Sequence, residues 1–161
     1  MIIFTPNTVI KSAELNSNFA EIVSNSNSNP YKFSVYRNAA ANTGNNTYAV
    51  IAFDTKEFDT GNNVSTLTGI FTTPIAGFYH FEARFGATTT RAIIALFKNG
   101  VEFKRGNDSL TASAEIGVNV SAIMQLALND TVEVRALGAT AVPIAIAADR
   151  NYFQGYLISR T

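Results

Sequence analysis

The chain contains no cysteine, so its fold needs no disulfide, and neither a thiolate zinc site nor a cysteine nucleophile is available to it. That suits folding in a reducing cytoplasm. It has no excess of charge either: twelve basic and twelve acidic residues cancel, leaving no electrostatic footprint for nucleic acid or an anionic membrane surface. The opening residues Met1-Ile2-Ile3-Phe4-Thr5-Pro6 lack the basic region and apolar run of a secretory signal. Nothing later approaches the roughly 18 consecutive apolar residues of a membrane span. No membrane insertion is expected, and export would take another route. Histidine is nearly missing too, with His80 alone.

What is present is apolar material. With 161 residues, 47% of them hydrophobic and 15% charged, the chain fits one main domain with a full core. Its organisation changes once. From about Asn7 to Val23 the spacing is helical: Ser12 can cap, and Leu15, Phe19, Ile22 and Val23 share one face, opposite Asn16, Ser17, Asn18 and Glu21. Roughly three turns of helix are marginal in water, so this apolar stripe must pack on the domain or on its own copies. The run Ser24-Asn25-Ser26-Asn27-Ser28-Asn29-Pro30 reads as a polar linker. The expected division is an N-terminal segment over 1–29 and a β domain over 30–161.

From Tyr31 onward the pattern is β. Residues 33–37, 78–85, 117–128, 131–136 and 152–159 alternate with a period near two, between clusters of Gly, Asn, Asp and Pro. In 79–85, Tyr79, Phe81, Ala83 and Phe85 face one way and His80, Glu82 and Arg84 the other. Residues 91–97 are apolar on both faces, as in a strand covered twice. Asn99-Gly100 supplies a tight turn into Val101-Glu102-Phe103-Lys104-Arg105. Many short strands with such turns indicate a sandwich or jelly roll.

Particular spacings then resemble a family. Val50-Ile51-Ala52-Phe53-Asp54, then Asn62 and Asn63, then Gly69-Ile70-Phe71-Thr72-Thr73-Pro74-Ile75-Ala76-Gly77-Phe78-Tyr79-His80-Phe81 resemble the C1q globular-domain signature, which runs from a Phe-Asp pair to G-x-F and P-x-x-G-x-Y-x-F. Leu96-Phe97-Lys98-Asn99-Gly100 is similar to its L-x-x-N-G hairpin. Leu126-Ala127-Leu128-Asn129-Asp130-Thr131-Val132-Glu133-Val134 is similar to its L-x-x-G-D-x-V-x-V, with Asn129 where the family usually has Gly. Asn tolerates the positive φ such a turn needs. Phe153-Gln154-Gly155-Tyr156-Leu157 is similar to the closing F-x-G-x-L.

The resemblance covers about Phe33 to Ile158 and implies an all-β, ten-strand jelly-roll sandwich of the C1q/TNF type that assembles as a homotrimer. A closed trimer is one way to cover apolar residues on the outer face of a sheet. If Phe153 and Leu157 point inward, Tyr152, Tyr156 and Ile158 point outward, and Phe78 and Ile123 fall on the outward faces of their strands. These five, with Leu15, Phe19 and Ile22 of the helix, are the expected trimer interface.

The N-terminal segment Asn7-Thr8-Val9-Ile10-Lys11-Ser12-Ala13-Glu14-Leu15-Asn16-Ser17-Asn18-Phe19-Ala20-Glu21-Ile22 is similar to an L-N-x-N-F-x-x-I element near the starts of bacteriophage tail-fibre and other virion proteins. That resemblance implies a virion component assembled in the host cytoplasm, with three helices bundled through Leu15, Phe19 and Ile22 and docked on other virion proteins.

Catalysis and cofactors are not expected. His80 would need an unplaced Ser or Thr, and no nucleophile elbow, P-loop, dinucleotide fingerprint or zinc cluster is present. Asp54, Glu57, Asp59, Asp108 and Glu115 are the candidate glycosidase carboxylates, all read in or near turns. Asp108, or the Asp59, Asn62 and Asn63 group, has the oxygens of a calcium site and equally those of ordinary turns, so no metal is assigned. Two functions remain: a fibre or tail knob binding a host-surface glycan or protein through residues 38–47, 86–90 and 105–114, or a purely structural capsid decoration or assembly trimer. A bacterial surface C1q-like protein is the cellular alternative.

Overall fold

The structure, a computed structural model, describes residues 13, 16–20, 29–87, 91–109, 116–140 and 148–161. The chain divides into two compact units, Met1–Pro30 and Tyr31–Thr161, and each is described by itself. In the first, residues 13 and 16–20 are helical and Phe19 is exposed. Leu15, Ile22 and the rest of the expected helix lie outside the described residues.

The second unit holds β1 (Lys32–Tyr36), β2 (Gly44–Asn45), β3 (Ala49–Val50), β4 (Thr55–Asp59), β5 (Phe71–Thr72), β6 (Gly77–Ala87), β7 (Ala92–Lys98), β8 (Val101–Ser109), β9 (Ile116–Leu126), β10 (Thr131–Gly138) and β11 (Tyr152–Arg160). One sheet runs β4-β1-β11-β6-β9. The other runs β2-β10-β7-β8, with β3 and β5 also pairing on β10. Eleven strands among the described residues replace the ten expected. Strands β2, β3 and β5 are two residues each, too short to show alternation in sequence. Strand β4 occupies a stretch whose carboxylates read as turn residues. Glu57 and Asp59 lie on it, held by pairing with β1.

Alternation decides which side chains fill the sandwich. Val35, Tyr79, Phe81, Phe85, Ile94, Leu96, Met124, Val134 and Phe153 have no exposed surface. At the centre Phe33 stacks on Phe71 at 5.2 Å and meets Phe153 edge-on at 4.9 Å. Ring pairs of this kind add about 0.5–1.5 kcal/mol to the area they bury. Gly155 makes the cluster possible: a Cβ there would stand 2.6 Å from the Phe81 ring and 3.0 Å from Phe33, so only glycine lets β11 pass between them. Tyr79 donates its buried hydroxyl to Ile75 O at 2.7 Å, and burial pushes its pKa up to about 12.

Turns follow their residues. Asn99 and Gly100 have φ of 51° and 78°, the pair of positive values that a two-residue turn between β7 and β8 requires. Asn129 has φ of 69°. The Asp130 carboxylate locks these two turns together, accepting from Asn99 Nδ2 at 2.8 Å, from Ala127 N at 2.8 Å and from the Lys98 ammonium at 3.0 Å.

Candidate functional site

The outward face of the five-stranded sheet is assembled by register. Tyr156 pairs with Lys32 and His80, and His80 with Ile123, so Lys32, Tyr156, His80 and Ile123 form one crosswise row. The neighbouring row is Ser34, Gln154, Glu82 and Ser121, and the one beyond it Tyr36, Tyr152, Arg84 and Asn119. On the other side Phe78 pairs with Gln125 and, across a register shift that carries Ile158, with Ser159. Residues in register share a face, and their side chains lie within contact range.

The face is graded. At one end Phe78, Ile123, Tyr156 and Ile158 are 38%, 59%, 47% and 48% exposed, an apolar patch spread over three strands. The middle row is polar from Ser34 to Ser121 and ends on β4 at the exposed Phe58; Glu82 accepts from the Tyr152 hydroxyl at 3.2 Å and from Gln154 Nε2 at 3.0 Å, while Ser34 donates to Glu57 at 2.7 Å. The structure thus places four of the five sheet residues named from sequence in one patch. The fifth, Tyr152, stands two rows away, half-buried and tied to Glu82. Burial first, and then the negative Glu82 beside it, push the Tyr152 hydroxyl above its ordinary pKa. Sequence alternation puts Tyr152, Gln154 and Glu82 on one face but does not say that they meet, because only the pairing of β11 with β6 fixes the row.

His80 is not a freely solvated histidine. Its Nε2 lies 2.9 Å from Ser121 Oγ and its ring 5.3 Å from that of Tyr156. Ser121 supplies the hydroxyl that a nucleophile and base pair would need, but the carboxylate one row away, Glu82, has its oxygens engaged by Tyr152 and Gln154. Glu82 is bonded to these neighbours, and its bonds run along β11 rather than to His80.

The acidic candidates organise the backbone. Burial pushes Asp54 up, but the amides of Asn38 and Ala39, the Thr55 hydroxyl and Arg37 outweigh it and hold the carboxyl below its ordinary value. Asp59 is likewise pushed up by burial, and Lys56 with the amides of Val64 and Asn63 brings it below the ordinary value. Asp108 lies on β8, where its pairing with Arg91 is bidentate at 2.9 and 3.2 Å. Glu115 lies outside the described residues. Among those described, no three acidic, histidine or cysteine residues come close enough together to hold a metal ion. Of the contact segments named from sequence, 86–87 and 105–109 are strand rather than loop, since β6 and β8 run on through Ala87 and Ser109. Residues 88–90 and 110–114 lie outside the described part.

Two sheets packed in this order, with the first and last strands side by side within one of them, define a jelly-roll sandwich of the C1q/TNF type. The family model described as the C1q domain matches residues 32–158. This chain belongs to that family. Among solved structures, the globular domain of zebrafish complement 1qA protein is similar at 23% identity and a TM-score of 0.67, over 81% of this chain and 99% of that one. A TNF protein, Eiger from S. frugiperda, is similar at 10% identity and TM-score 0.66, over 81% and 94%. Murine APRIL at pH 8.5 follows at 10% identity and TM-score 0.63, over 79% and 98%. These likenesses concern the fold. A search of curated proteins finds no match.

Proposed function

We propose that this chain is a non-enzymatic binding module that assembles as a homotrimer and serves as a virion component, a knob on a phage fibre or tail that contacts a host-surface glycan or protein. The observation that carries the reading is the apolar patch of Phe78, Ile123, Tyr156 and Ile158, left open on a sheet whose other face is buried. Threefold association covers it and repeats every surface site three times, so weak contacts gain avidity. Leu15, Phe19 and Ile22 bundle the N-terminal segments of the three copies, and that segment docks on other virion proteins. The L-N-x-N-F-x-x-I spacing supports the virion setting.

A purely structural role, as capsid decoration or assembly trimer, is favoured by one specific observation. In the stretch 38–47 the adjoining guanidinium, Arg37, is bonded to the carbonyls of Ala40 and Ala52 rather than presented to a partner. Light scattering of the full chain at micromolar concentration tests the trimer, and the mass of a single chain would sink it. Immunogold labelling of purified particles tests the setting. Label at tail tips supports host contact and label on capsids moves the chain to decoration. Unlabelled particles remove the virion assignment in favour of a bacterial surface protein.

A further inference from the structure

Beside β4 and β5 lies a cleft of about 570 Å³, within the range of about 300–1,000 Å³ usual for small-molecule sites. Asn62 and Asn63, which the sequence offered as calcium ligands or turn residues, form part of its wall. Asp59 does not line it. Its side chain is 2% exposed and clamps the loop from beneath, accepting from Asn63 N and Val64 N at 3.0 Å each and from the Lys56 ammonium at 2.8 Å. The loop returns through Thr72 N to Asn63 O at 2.9 Å, and Thr73 exchanges backbone bonds with Asn129 and Asp130 at 2.9 and 2.8 Å. The cleft is therefore held open by bonded backbone on both sides before any ligand arrives.

The geometry points to a binding site for a neutral sugar, lined by Asn62, Asn63, Thr72, Thr73, Asn129 and Leu67. Thr73 is fully buried, and its hydroxyl has no hydrogen-bonding partner among the described residues. Buried to that degree it belongs to the wall, and the polar side chains a ligand meets are those of Asn62, Asn63, Thr72 and Asn129. Side-chain amides and hydroxyls each combine donor and acceptor capacity, which matches sugar hydroxyls, themselves both donors and acceptors. Leu67, 88% exposed, offers an aliphatic surface to the C–H face of a ring. An anionic ligand is disfavoured, because the lining cation, Lys56, is already bonded to Asp59 and to Asn62 Oδ1 at 2.7 Å. A cationic one is disfavoured because no carboxylate lines the cleft among the described residues. This site deepens the binding-module reading and rests on it.

Saturation-transfer NMR on the full chain with glucose, galactose, N-acetylglucosamine and rhamnose tests the site. At least one neutral sugar should bind, and Asn129→Gly and Leu67→Ser should each weaken it by about five- to tenfold. Asn129→Gly keeps the positive φ of its turn and Leu67 is exposed, so both variants read the site in a folded chain. Binding unchanged in Asn129→Gly and Leu67→Ser overturns the assignment, and so does displacement of the sugar by inorganic phosphate. A chain that adsorbs to host cells yet binds none of the sugars overturns the cleft and leaves the binding-module reading standing. A chain that binds a sugar here but adsorbs to no host cell supports the cleft and removes its link to host contact.

Discussion

Strand β7 of the six-stranded sheet and the five-stranded sheet treat apolar residues on their outer faces in opposite ways. On the six-stranded sheet, Ile93, Ala95 and Phe97 keep only 2%, 0% and 6% of their surface exposed, because the chain covers that face itself. Tyr48 packs edge-on to Phe97 at 5.2 Å. The Arg135 guanidinium lies 4.2 Å from the centre of the same ring and is bonded in turn to Glu133. On the five-stranded sheet, Phe78, Ile123, Tyr156 and Ile158 have no such cover. Residue type does not distinguish the two faces; the presence of a covering segment does. Each half-exposed apolar side chain forgoes roughly 1 kcal/mol, so four together approach only the low end of the ~4–15 kcal/mol cost of association. A trimer closed on this face would need contacts beyond these four side chains.

This comparison can be broken at several points. Phe97→Ala opens the self-covered face and should cost about 3–5 kcal/mol of chain stability, read from the shift of the urea midpoint. A cost below about 1 kcal/mol would show that the cover contributes little. Tyr156→Asp with Ile158→Asp alters the open face instead. Chain stability should change by about 1 kcal/mol or less, while the scattering mass falls from three chains to one; an unchanged mass would place the interface elsewhere. Arg135→Gln sharpens the first result by removing the cation over Phe97, at a cost of about 1 kcal/mol, measured by the same denaturation.

The smallest effect concerns pH and neither face. The Asn99 side chain, then the Ala127 amide and the Lys98 ammonium, hold Asp130 at about 2, against an ordinary value of 3.8. Because the folded value lies below the unfolded one, its contribution is whole above about pH 4 and drains away as pH falls towards about 2. In Asp130→Asn the melting temperature should fall less steeply across that interval than in the unaltered chain. Parallel slopes would show that the carboxylate is not linked to folding.

Much of the sandwich was legible because alternation reports burial directly: Tyr79, Phe81, Ala83 and Phe85 read as inward, and all four are buried. Motif residues were legible singly but not as partners. Asn99 and Asp130 belong to separate signature pieces, and nothing in their spacing says that one accepts a hydrogen bond from the other. The same holds for Glu82 with Gln154, whose meeting depends on which strands are neighbours. Strand β4 was hidden because Glu57 and Asp59 are typical turn residues, and pairing with β1 overrode that preference. The cleft was least legible of all, since Asn62, Asn63, Thr73 and Asn129 become one surface only when two turns distant in sequence are brought together.

Strand β11 lies between β1 and β6, with Val35 opposite Phe153 and Ala83 opposite Phe153 on the other side. The first strand of the sandwich thus has the last as one of its two neighbours. During synthesis β1 and β6 cannot find their shared partner until nearly the whole domain has been made, and the two edges that β11 joins stay unpaired until then. Such long-range closure slows folding and leaves strand edges open to other chains. The same insertion makes β11 the keystone of the finished sheet, since withdrawing it separates β4 and β1 from β6 and β9 in one step.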